Sequence, residues 1–190
     1  MDQRADLDRR AATLLRLDAL AKPPLGSLLM TPEEALSALG LELPEPPPAV
    51  GNYVGAVRVG NLLFVSGHGP FEKGRPAFVG KLGRELSVEE GQRAAQLVAL
   101  NMLASIKAEL GELDRIARVV KLLCLVNSDP EFGDQPTVAN GASDLLVRVF
   151  GEERGRHARS AIGMGALPFQ IAVEIEGIFE LKDGATQHAS

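Results

Sequence analysis

The chain has 190 residues, room for one domain and an appendage; 45% are hydrophobic and 24% charged, but only 4% are aromatic and none is tryptophan, so aliphatic side chains must fill the core. With 25 acidic against 20 basic residues the formal charge is −5, which repels polyanions and argues against nucleic acid as a partner. No run reaches the ~18 apolar residues of a membrane helix, and the charged start, Asp2-Gln3-Arg4-Ala5-Asp6, lacks the apolar centre of a signal peptide. Cys124 is the single cysteine and lies in an apolar run, so a packed thiol in a reducing cytoplasm is expected.

Residues 1–29 begin charge-dense, and Leu7, Ala11, Leu14 and Leu15 make the stripe of one short amphipathic helix. Met30-Thr31-Pro32-Glu33-Glu34 then reads as a fresh start, with Met30 as the natural initiator. Thr31 can N-cap, Pro32 suits the first helical position, and Glu34 completes a capping box for a helix ending at Gly40. The prolines of 44–48 fix φ and remove donors, which marks a linker. The chain thus divides into an N-terminal extension (1–50), a main domain (51–182) and a tail (183–190).

The main domain opens with strand-like runs at 53–59 and 62–66 around Gly60-Asn61, a two-residue hairpin signal. After the loop Gly67-His68-Gly69-Pro70 and an extended piece around 77–79, Ser87-Val88-Glu89-Glu90 is a capping box for a long helix that buries Ala95, Val98, Ala99, Met102 and Ile106. Gly111 stops it, and a near-continuous apolar strand follows through Val126. A second helix over 134–150 sets Val138, Ala142, Leu145 and Val149 in register and ends at Gly151. Final strands are expected at 157–164 and 170–181, with Ile171, Val173, Ile175, Phe179 and Leu181 inward and Ala172, Glu174 and Glu176 on the other face. The order ββ(β)αβαββ predicts an α+β fold in which two helices pack on one face of a mixed sheet. The face bearing the glutamates must meet water or another subunit.

Arg159, within His157-Ala158-Arg159-Ser160-Ala161, and Glu174 fall on adjoining segments of this order. A guanidinium grips a carboxylate or phosphate through two hydrogen bonds, and a nearby carboxylate can hold a water or a proton. The plainer reading is an Arg–Glu cross-strand pair on a wet face. The segment from Gly74 to Gly80-Lys81 has the wrong spacing for a phosphate loop, and no pattern suggests a metal or cofactor.

Asn52-Tyr53-Val54, Gly60-Asn61-Leu62-Leu63-Phe64-Val65-Ser66-Gly67, the Asn140 helix ending Phe150-Gly151, His157-Ala158-Arg159-Ser160, and Leu167-Pro168 leading into Val173-Glu174-Ile175-Glu176 together resemble the Rid family, also called YjgF or endoribonuclease L-PSP proteins. Leu39-Gly40-Leu41-Glu42-Leu43-Pro44 resembles the leader of a less studied branch. The resemblance implies a chorismate-mutase-like fold and a homotrimer with clefts between subunits. It also implies hydrolysis of reactive 2-imino and enamino acids, such as 2-aminoacrylate, to 2-oxo acids and ammonia, without a cofactor. By the same resemblance Arg159 clamps the substrate carboxylate, Glu174 orients water and passes protons, Tyr53 covers the substrate, and Ser66 and Gly67 offer backbone groups. His68 stands where relatives often have glutamine. Ala161 stands where many deaminase-active relatives carry a cysteine, which excludes thiol chemistry there. Two other readings remain: an endoribonuclease enlisting His68 and His157 around Arg159, and a non-catalytic trimer that binds small carboxylates.

Overall fold

The structure, a computed structural model, describes residues 30–46 and 51–182. The expected helix through Leu7 and Leu15, the end of the proline-rich stretch and the tail from 183 lie outside the described residues.

Helix α1 (Pro32–Ala38) opens with the expected capping box, in which Thr31 and Glu34 satisfy each other's backbone N–H groups. It closes on Gly40, whose φ of +68° lets the Gly40 and Leu41 N–H groups return to the carbonyls of Ser37 and Leu36. That turn brings Leu36 and Leu41 into the main hydrophobic core. Glu33 fixes the same segment from the polar side: it accepts the Leu113 N–H at 2.8 Å and pairs with Lys107 at 3.3 Å.

Strands β1 (Ala56–Val59) and β2 (Leu62–His68) form the predicted hairpin, with Val59 opposite Leu62 and positive φ at Gly60. β1 is shorter than expected, because pairing starts only at Ala56. Of the extended piece expected around 77–79 only Val79 pairs, in one isolated bridge to Ile171; before it lies a small ribbon, β3 (Phe71–Glu72) with β4 (Arg75–Pro76). Ser87 caps helix α2 (Val88–Leu110), whose five predicted core residues are all at most 1% exposed. A short 3₁₀ turn (Leu113–Arg115) leads into β5 (Ile116–Asn127). Helix α3 (Gln135–Gly155) continues for one turn beyond a break at Gly151, where φ is +78°, so that glycine kinks the helix rather than ending it. β6 (Ala158–Met164), a 3₁₀ turn (Pro168–Gln170) and β7 (Val173–Leu181) complete the domain.

The main sheet runs β1-β2-β7-β5-β6, with β5 and β6 parallel and the other pairs antiparallel. α3 is the crossover that parallel strands require. Leu63, Val65, Leu122, Cys124, Val126, Val173, Ile175 and Phe179 fill the side covered by α2 and α3. Ala172, expected on the open face, is buried, because the chain bends there before β7 begins. The open face carries Val57, Phe64, Ile178, Glu176, Glu174 and Ile162, as the register between strands requires. Val57, Phe64 and Ile162 remain exposed on it.

Two glycines set the closeness of the helices. A Cβ on Gly141 would overlap the backbone carbonyl of Gln92, and one on Gly91 would come within 2.9 Å of Val138. Gly141→Ala should therefore push α3 off α2 and lower stability by about 1–3 kcal/mol, the usual cost of overpacking. A urea midpoint equal to that of the wild type would show that the helices are not held this tightly.

Candidate functional site

Arg159 and Glu174 do not meet within one chain, which corrects the expectation of adjoining strands. β5 lies between β6 and β7. Arg159 pairs in register with Leu122, a core residue of the helix-covered side, whereas Glu174 pairs with Leu125 on the open side. Alternation of side chains then puts the two groups on opposite faces as well as two strands apart.

The Arg159 side chain, half-buried at the sheet edge, runs along the first turns of α3. Its Nη1 donates to Oδ1 of Asn140 and to Oγ of Ser143, both at 2.9 Å, and its Nη2 donates to the Pro136 carbonyl at 3.0 Å. A guanidinium has five N–H donors in a rigid plane, so three are fixed by the helix and two remain, the Nε–H and the second N–H of Nη2. Those two belong to adjacent nitrogens and suit the two oxygens of a carboxylate. Ser143 is fixed in turn: its hydroxyl lies 3.0 Å from Nε2 of His157, whose Nδ1 lies 2.7 Å from the Gly155 carbonyl. Since a carbonyl only accepts, Nδ1 carries the proton and Nε2 accepts from Ser143. Burial holds the His157 pKa below its ordinary value, which favours this neutral form.

Glu174 occupies space that Gly67 vacates. Ser66 and Gly67 oppose the single residue Glu176, a bulge that bends β2 beside β7. A Cβ at Gly67 would overlap Oε1 of Glu174, so any larger residue there would displace that carboxylate. Desolvation first, and the charge of Glu176 second, raise the pKa of Glu174 above the ordinary carboxylate value. Such a group exchanges protons closer to neutrality than a solvated glutamate does.

The other predicted site residues do not all join these two positions. The Ser66 hydroxyl donates to the Val54 carbonyl at 2.7 Å and its N–H to the Gly55 carbonyl at 2.9 Å, so Ser66 anchors the segment carrying the exposed Tyr53. His68 turns away from Glu174: it is buried, with Nδ1 2.7 Å from the Ser66 carbonyl and Nε2 2.8 Å from Oγ of Ser105 on α2. Burial lowers its pKa too. Ala161 pairs with Cys124 beside the core. Cys124 is buried and its thiol is pushed up to about 11, so it is protonated at neutral pH and no nucleophile. Among the described residues no cluster of three His, Cys, Asp or Glu could hold a metal ion, and no helix is long and apolar enough to cross a membrane.

Asn140 and Ser143 were not foreseen as part of the site. Their signal was a spacing of three on one helix, off the Val138, Ala142, Leu145 stripe, which aims both polar ends along one line.

Residues 33–177 match the family model described as "YjgF/chorismate mutase-like, putative endoribonuclease". The chain belongs to this family, and its mixed sheet with helices on one side is the fold of that family. It is 49% identical to Protein TCP17 of Trypanosoma cruzi over 148 residues, covering 78% of this chain and 92% of that protein. A solved Agrobacterium tumefaciens protein of unknown function superposes with a TM-score of 0.73 at 49% identity, covering 80% of this chain and 92% of the other. A solved "putative endoribonuclease" of Shewanella oneidensis gives 0.77 at 38% identity, covering 80% and 100%.

The titrations carry opposite signs. Glu174 has its pKa raised by folding, so stability present below 4.5 is lost as pH rises through the folded value. Glu174→Gln should therefore raise the thermal midpoint at pH 7, with the gain vanishing below pH 4.5. His68 and His157 have theirs lowered, so the stability they give above 6.5 is lost as pH falls through their folded values. Unfolding midpoints measured from pH 8 to pH 4 test both signs, and a Glu174→Gln midpoint at or below that of the wild type at pH 7 would contradict the first.

Proposed function

We propose that this chain hydrolyses reactive 2-imino and enamino acids to 2-oxo acids and ammonia, in a homotrimer whose clefts lie between copies. The observation that carries the reading is the half-used guanidinium of Arg159, braced on three sides by α3 and left with two adjacent N–H donors at the sheet edge. A ligand carboxylate fits that remainder. The apolar residues of the open face, Val57, Phe64 and Ile162, supply a reason for a second copy to cover Glu174.

In this reading Arg159 of one copy holds the substrate carboxylate, which fixes the adjacent C=N carbon. Glu174 of another copy, in its protonated form, gives its proton to the imine nitrogen and makes the carbon electrophilic. As water attacks that carbon, the carboxylate takes one of its protons, and a carbinolamine forms. Glu174 passes this proton to the amino group, the C–N bond breaks, and ammonia leaves as the carbinol O–H proton returns to the carboxylate. Water and imine are consumed, 2-oxo acid and ammonia are released, and no covalent nucleophile takes part. The alanine at 161 is compatible with such a sequence. Tyr53 and the Gly67 backbone complete the cleft wall.

The geometry gives less support to RNA cleavage. His157 is linked to Arg159 through Ser143, but His68 is used in the packing of β2 against α2. Substitution tests the proposal. Arg159→Ala should reduce imine hydrolysis at least ~100-fold, and Arg159→Lys, which keeps the charge but loses the planar fork, should fall nearly as far. Ammonia release from freshly generated 2-iminopropanoate measures this. A rate no faster with the wild-type protein than without it would rule out the reading.

A further inference from the structure

An aromatic corner lies where the segment after β2 meets the turn before β7. Phe169 is 63% exposed, the most exposed large hydrophobic residue among the described residues. Its ring stands edge-on to that of half-buried Phe71, with centroids 5.9 Å apart and planes at 87°. Exposure of this kind usually goes with a loose loop, but here the backbone beneath both rings is tied down. The buried Asn101 amide donates to the carbonyls of Gly69 and Phe71, each at 3.0 Å. On the other side, Phe169 and Gln170 hold φ values of +54° and +55°, a conformation that residues other than glycine adopt only when their surroundings impose it. The constraints are visible: the Gln170 N–H donates to the Leu167 carbonyl at 3.0 Å, the Gly80 N–H to the Gln170 carbonyl at 2.9 Å, and the Ala172 N–H to the Phe78 carbonyl at 3.0 Å. Strain is thus spent to present an apolar ring to solvent.

The position of the corner connects it to the acid. Gly67 and Gly69 flank His68, whose side chain turns toward Ser105 on α2. A Cβ on Gly67 would strike the Glu174 carboxylate, and one on Gly69 would come within 2.6 Å of the Phe71 ring and 2.7 Å of Ile171. The Glu174 carboxylate and the Phe71 ring thus border two glycines that lie two positions apart in one segment, and neither glycine puts a side chain between them. A substrate with its C=N group at Glu174 would run its side chain past these glycines toward the corner.

We propose that Phe71 and Phe169 form a subsite for the substrate's side chain and make them specificity-determining residues. The substrates favoured are 2-imino acids with an aliphatic or aromatic side chain, over the small 2-aminoacrylate type. This rests on the reading of Glu174 as the proton-transferring acid of a carboxylate-binding cleft. The edge-on ring pair offers an apolar wall and no hydrogen-bond donor, so it selects by burial of carbon rather than by charge.

Binding of 2-oxo acids, measured by calorimetry, tests the subsite apart from turnover. The wild type should bind 4-methyl-2-oxopentanoate at least ~10-fold more tightly than pyruvate, the discrimination expected for burying a leucine-like side chain. In Phe169→Ala that preference should collapse while pyruvate affinity stays within about twofold, and Phe169→Leu should restore much of it. Phe169 is exposed, so its truncation leaves the core intact, and light scattering checks the assembly state. Equal weakening for both acids, an unchanged preference, binding of neither acid, or a changed assembly state would each overturn the subsite; the last would mark Phe169 as a contact between copies. Hydrolysis assayed beside binding keeps the two claims separate. If no imino acid is turned over yet the side-chain preference follows Phe169, the deaminase reading fails and the subsite stands. If turnover proceeds but the preference ignores Phe169, the reverse holds.

Discussion

Side chains alternate faces along a strand, and β5 stands between the strands that carry Arg159 and Glu174. Together these facts keep the guanidinium and the carboxylate apart in any one copy of the chain. Arg159 belongs to the helix-covered side at one edge of the sheet; Glu174 belongs to the open side in the interior. No rotamer of either residue crosses the sheet. If the two act on one substrate, the second must come from another copy, and the proposed chemistry depends on assembly as much as on sequence.

Each half-site is prepared in its own way. The Arg159 half is built by hydrogen bonding: the order of Pro136, Asn140 and Ser143 along α3 uses three guanidinium donors and leaves an edge for an anion, with His157 keeping the Ser143 hydroxyl in its accepting orientation. In the proposed site, little conformational entropy would then be lost on binding a carboxylate. The Glu174 half is built by omission. A bulge and a glycine clear the space, and partial burial holds the carboxylate in an environment that disfavours its charge. That arrangement costs stability at neutral pH, as sites that hold a group away from its preferred state generally do. Phe169, on its strained turn, follows the same logic.

Much of this was legible in the chain. Capping boxes at Thr31 and Ser87, the Gly60-Asn61 hairpin and the helical stripes are local signals, and local chemistry decided them. The family motifs pointed to Arg159 and Glu174 because they report ancestry. What could not be read was order across the sheet: consecutive β6 and β7 look like neighbours in sequence, yet β5 inserts between them through long-range pairing. The glycines on either side of His68 read as a loop, but the bulge carries β2 through His68, and its ring is buried against Ser105 of α2. The turn at 168–170 was also hidden, since Phe169 and Gln170 have no intrinsic preference for positive φ and are held there by tertiary hydrogen bonds.

The central claim, that one working site takes Arg159 from one copy and Glu174 from another, is open to a direct measurement. Arg159→Ala and Glu174→Gln chains, each inactive alone, would be unfolded, mixed in equal amounts and refolded together, and imine hydrolysis then assayed. Random mixing in a closed ring of copies should regenerate about a quarter of the sites with both groups intact, and activity should return in that proportion. A mixture as inactive as its components, with mixed assemblies shown to have formed, would mean that the two residues do not share a site between copies.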